Sequence, residues 1–102
     1  MKKVEVTITV KEQVMWISPC LLELNARKDE GIEVEFILEN AEVAVVQFLD
    51  DDSPFQESSF ELKEGKSIAR KVNVGSVSKS FAYTVKTNPK GGGSIIVHPG
   101  NG

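Results

Sequence analysis

The sequence predicts an all-β protein, an antiparallel Greek-key β-sandwich of about seven to eight strands. Three observations carry that reading. The chain holds 13 Val and 7 Ile against 6 Leu, and β-branched side chains fit a pleated surface better than a helix. Apolar and polar residues alternate over several short runs, the period of a strand with one wet face. Clusters of Gly, Pro and Asp separate the runs, as turn residues do.

The elements follow in order. Val4, Val6, Ile8 and Val10 share one face, with Glu5, Thr7 and Thr9 on the other. The best helical candidate, Val14 to Leu24, is broken by Pro19. Ile32, Val34, Phe36 and Leu38 repeat the alternation, with Glu33, Glu35 and Glu39 outside. Val43, Val45 and the apolar run to Leu49 read as a more deeply buried strand. Phe60 and Leu62, then Ile68, Val72 and Val74, then Phe81, Tyr83 and Val85 continue the series, and Ile95 to Val97 closes it. Turns are expected at Lys28–Gly31, Asp50–Pro54, Lys63–Lys66 and Asn88–Gly93. The reading is one domain over residues 1–99, with a frayed glycine-rich tail at 100–102.

Composition narrows the function. With 102 residues, 40% hydrophobic and 26% charged, the chain suits a single soluble domain. No run approaches the roughly 20 apolar residues of a spanning helix, so no membrane partner is expected. Net charge is -3 and the basic residues are scattered among acids, which argues against nucleic acid. One cysteine, Cys20, permits no intrachain disulfide. The start of the chain lacks an apolar signal core. Together these favour a cytoplasmic setting, or a periplasmic or secreted one if a signal has been removed.

From Trp16 onward the landmarks resemble the cupredoxin family. Ser18-Pro19, Leu22, Leu24, Glu30-Gly31-Ile32-Glu33-Val34, Phe36 and Asn40 are similar to its second and third strands with their glycine turn. Phe60-Glu61-Leu62-Lys63-Glu64-Gly65 resembles its Phe-Leu-Gly turn, Phe81-Ala82-Tyr83-Thr84-Val85 its paired-aromatic strand, and Ser94-Ile95-Ile96-Val97 its closing strand. An immunoglobulin-like sandwich is the alternative. The resemblance implies the scaffold without its copper ligands. Ala41-Glu42-Val43 stands where the family places a histidine, and Val85 where it places the thiolate. The loop from Lys86 to Gly93 holds neither histidine nor methionine. A blue-copper centre needs two imidazoles and a thiolate, so no cofactor is expected. Metal-free relatives of this fold serve as recognition modules, so the resemblance implies an unidentified protein partner.

The candidate binding residues are Asp50, Asp51, Asp52 and Phe55, an acidic loop carrying an aromatic residue. The acids are read as a solvated loop, with a weak Ca²⁺ site as the alternative. Phe55 either plugs the sandwich end or stands exposed as a contact, the plug being favoured. Core packing is expected of Trp16, Phe36, Phe48, Phe60, Phe81 and Tyr83. Cys20 is read as a buried thiol and His98 as a strand-end surface histidine. Gly91-Gly92-Gly93 reads as a flexible hairpin loop, not a phosphate loop. No residues stand at recognisable catalytic spacing, so no enzyme is expected. Three function classes remain: a metal-free protein-recognition or structural module first, then a copper or electron-transfer protein, then Ca²⁺ or carbohydrate binding through the end loops.

Overall fold

In the computed structural model, which describes residues 2–25, 31–87 and 90–99, the period-two runs form nine strands. These are β1 (Lys2–Lys11), β2 (Val14–Ser18), β3 (Leu21–Asn25), β4 (Ile32–Glu39), β5 (Val43–Phe48), β6 (Ser59–Lys63), β7 (Ile68–Lys71), β8 (Lys79–Lys86) and β9 (Lys90–His98). They build two sheets, ordered β2-β1-β4-β7 and β3-β9-β8-β5-β6. The two-layer all-β sandwich expected from the sequence is therefore present. Its pairing differs in detail from an all-antiparallel one: β1 runs parallel to β4, and β3 parallel to β9. The expected turn at Lys28–Gly31 and the tail at 100–102 fall largely or wholly outside the described residues.

The strand count exceeds expectation because the Val14–Leu24 stretch is two strands. A two-residue hairpin at Glu12 and Gln13, both at positive φ (52° and 64°), turns β1 into β2. Pro19 and Cys20 then carry the chain across to the other sheet, where β3 joins β9. Pro19 thus interrupts a strand, not a helix.

Alternation fixes what faces inward. Val6, Ile8, Ile32, Val34, Phe36 and Leu38 line the first sheet, while Ala44, Val46, Phe48, Phe60, Leu62, Phe81, Tyr83, Val85, Ile95 and Val97 line the second. Apart from the Tyr83 hydroxyl, no polar or charged side chain is buried among the described residues. One strand departs from the sequence reading. In β5 the buried set is Ala44, Val46 and Phe48, while Val43 and Leu49 are exposed. Its outer side faces water, so the run is not buried on both faces.

Gly91, Gly92 and Gly93 lie within β9, paired with Val85, Thr84 and Tyr83. They are strand residues, and the reason is close approach, not loop flexibility. A methyl on Gly93 would stand 2.5 Å from Tyr83 Oη and 2.6 Å from the Cys20 carbonyl oxygen. The bared backbone lets the β2–β3 crossover settle against β9, where the Ser94 N–H donates to the Cys20 carbonyl at 2.8 Å.

Gly93→Ala is expected to destabilise the fold by about 1–3 kcal/mol, the range for overpacking. Gly75→Ala, whose nearest neighbour would lie 4.0 Å away, is expected to change stability by less than about 0.5 kcal/mol. Urea denaturation midpoints of the two variants check the contrast.

Candidate functional site

The acidic loop follows β5. A short 3-10 turn at Leu49–Asp51 holds Asp50 and Asp51 at positive φ (56° and 52°), a conformation that Asp tolerates better than most residues. Ser53 organises the next turn. Its Oγ accepts from the Phe55 N–H at 3.1 Å, and the Asn73 N–H donates to the Pro54 carbonyl at 2.7 Å. These bonds drive Phe55 inward, to 5% exposure. Its ring packs 5.7 Å from Phe48, 6.0 Å from Phe36 and 6.4 Å from Phe60. The plug is realised, and Phe55 presents no aromatic surface to a partner.

The three aspartates diverge. Asp51 Oδ1 accepts from Ser58 Oγ at 3.3 Å, and Asp52 Oδ2 lies 2.9 Å from Lys79 Nζ. Glu57, close by in sequence, is engaged by Arg70. A Ca²⁺ site needs oxygens converging on one point. Among the described residues no three His, Cys, Asp or Glu side chains are placed to share an ion. Asp52 and Lys79 instead border a groove of about 400 Å³ at the sandwich end, with Val77, Phe81 and Val97 on its walls. Lys79 Nζ lies 5.2 Å from the Phe81 ring centre. Asp50 and Asp51 border a second hollow of about 360 Å³ beside Thr84 and Lys86.

At the positions where the family resemblance would place copper ligands, Ala41 and Val43 flank an exposed Glu42. Val85 is fully buried opposite Val46. The expected loop from Lys86 to Gly93 is largely strand, because β8 runs to Lys86 and β9 begins at Lys90. Met15, Cys20 and His98 do not converge. Met15 and Cys20 meet the Gly91–Gly93 segment, whereas His98 is paired with Asn25 at the far end of β9. There His98 Nδ1 lies 2.8 Å from Ser78 Oγ, and Nε2 lies 3.3 Å from Glu23 Oε2. Glu23 is 59% exposed, so water screens its charge. The three residues tie β3 and β9 to the segment before β8.

Two residues expected in the interior are at the surface. Cys20 is exposed in the crossover between sheets. Trp16 is 62% exposed, because the register sets it opposite Thr9 on the wet face of the first sheet while Met15 and Ile17 turn inward. Val14, two residues away on the same face, is 49% exposed. With Thr9, Lys11 and Glu12 they bound a shallow hollow of about 500 Å³. Sequence reasoning missed this patch because an aromatic beside apolar neighbours reads as core. The available signal was parity: Trp16 alternates with Met15 and Ile17, and only one set can face in.

Among the described residues Tyr83 is the buried titratable group. Burial, then negative charge at the nearby Cys20 sulfur, push its hydroxyl up to about 12 from an ordinary 10.

The fold and its surface define a two-sheet β-sandwich with an exposed aromatic patch on an edge strand. No protein-family model matches the chain, and no curated protein matches its sequence.

CaCl₂ is expected to leave the thermal midpoint unchanged, as checked by calorimetry with and without the ion. Because native Tyr83 holds its proton above the pH at which the unfolded chain releases it, stability is full below pH 10 and falls as pH rises toward about 12. The loss amounts to about 2–3 kcal/mol. Denaturation at stepped pH checks it, and Tyr83→Phe should flatten this part of the profile.

Proposed function

We propose that this chain is a cupredoxin-like domain without copper that acts as a non-catalytic protein-recognition module. The observation that carries the reading is Trp16, the single tryptophan, standing 62% exposed on an edge strand. Leaving a large apolar side chain in water forgoes roughly 1.5–3 kcal/mol of burial. Tryptophan is also the residue most enriched among interface hot spots. Val14 extends the apolar centre, and Thr9, Lys11 and Glu12 form a polar rim, the anatomy of a protein contact surface. The occupant this patch suits is a protein surface with an apolar centre and mixed charge at its edge.

The cupredoxin likeness draws support from pairing as well as landmarks. The parallel pairs β1–β4 and β3–β9 separate the sandwich from the immunoglobulin pattern of two antiparallel sheets. The emptied ligand positions at Ala41 and Val85 support recognition over electron transfer.

Partners captured by the wild-type protein should be purified and titrated against wild type and Trp16→Ala. The expected result is a loss of at least about 30-fold in affinity, with an unchanged denaturation midpoint. Binding to the wild type should also blue-shift the indole emission. Equal affinity for Trp16→Ala would overturn the proposed surface. Thiolate-to-copper absorption after copper loading would overturn the metal-free reading, and binding of a polysaccharide over Trp16 would replace a protein partner with a carbohydrate.

A further inference from the structure

Strand β1 is ten residues long, but β2 covers only part of one edge, from Thr7 to Lys11. Along Lys2–Val6 that edge has no neighbouring strand among the described residues. Backbone alternation says which groups it presents. The Lys2 N–H donates to the Gly31 carbonyl on the β4 side, so even-numbered residues of β1 bond to β4. The amides and carbonyls of Lys3 and Glu5 therefore point toward the open edge.

Side chains along this edge are unevenly satisfied. Val6 and Ile8 are fully buried, whereas Val4, flanked by β4 on one side only and farther from the end of β2, is only partly so. On the outer face Glu5 pairs with Glu35 across the parallel ladder, a like-charge juxtaposition. Lys3 Nζ reaches Glu33 and Glu35 at 3.8 Å, and no cation reaches Glu5 among the described residues.

We propose that Lys2–Val6 is a self-complementary edge at which two copies of this chain pair antiparallel about a two-fold axis through Val4. In that register Lys3 of each copy lies opposite Glu5 of the other, so both ion pairs form symmetrically. Lys3 and Glu5 become the hydrogen-bonded pairs, and their outward amides and carbonyls close four backbone bonds. The two Val4 residues form the close, non-hydrogen-bonded pair at the centre and shed their remaining exposure. Moving the axis to Lys3 or Glu5 would set like charges opposite each other, so charge selects the register. The free stretch ends where β2 begins, which limits pairing to these five residues. Two four-stranded sheets then merge into one continuous sheet. An interface this short makes a weak, concentration-dependent dimer, and added salt weakens it further.

The test is sedimentation velocity over a concentration series with wild type, Lys3→Glu, Glu5→Lys and the double variant Lys3→Glu/Glu5→Lys. The expected result is a wild-type dimer, association weakened about tenfold or more in each single variant, and recovery in the double. Amide exchange on the wild type supplies an independent readout, with Lys3 and Glu5 N–H groups slowing as concentration rises. A wild type that stays monomeric throughout would overturn the proposal. So would a double variant as weak as the singles, or a dimer that leaves those two amides unprotected.

Discussion

The interior of this domain depends on Phe36. It enters from the first sheet and meets rings from every direction: Phe60 at 5.1 Å, Phe55 at 6.0 Å and Tyr83 at 6.1 Å. Phe48 joins the same cluster through Tyr83 and Phe55. The attraction between the layers is apolar contact plus edge-to-face ring packing, with no buried ion pair among the described residues to fix position. One consequence reaches the surface. To complete the cluster the chain after β5 must fold Phe55 inward, which commits Ser53 and the backbone around Pro54 to holding the turn. Of the acidic side chains left outside, Asp51 and Asp52 are taken up by the Ser58 hydroxyl and the Lys79 ammonium. The segment that looks most like a binding loop is thus occupied with closing the core.

Much of the fold was legible because one physical rule dominates it. Alternation placed Val6, Ile8, Val34, Phe36, Leu62, Tyr83 and Val85 on the inner faces without reference to any neighbour. It failed where local chemistry gave no punctuation. Glu12 and Gln13 adopt a left-handed turn usually taken by Asn-Gly, so the β1–β2 hairpin left no mark in the sequence. In β5 both parities are apolar, and the choice between Ala44-Val46-Phe48 and Val43-Val45 belongs to sheet pairing. The candidate site was less legible. Whether Phe55 points in or Trp16 points out depends on register and turn hydrogen bonds, which are tertiary facts. The triple glycine misled for the opposite reason: its composition suggests mobility, while its role is to leave room for Tyr83 and the Cys20 carbonyl.

The crossover at Pro19 and Cys20 links these observations. By passing from one sheet to the other it makes β2 and β3 edge strands of different layers, and it leaves β2 with Trp16 on a water-facing side. The same transfer strips β1 of a neighbour along its first five residues. An exposed aromatic and an open strand edge, two separate surface features, therefore share one topological origin.

The parallel pairings also decide where the polypeptide enters and leaves. Lys2 sits beside Ile32, and His98 beside Asn25, positions separated by a short connection in the sequence. Entry and exit therefore emerge from one pole. A sandwich arranged this way can be spliced into a surface loop of a host protein without prising the host apart. Its ends can also be joined and the chain reopened elsewhere, so that order along the gene could change while the packed layers stay as they are.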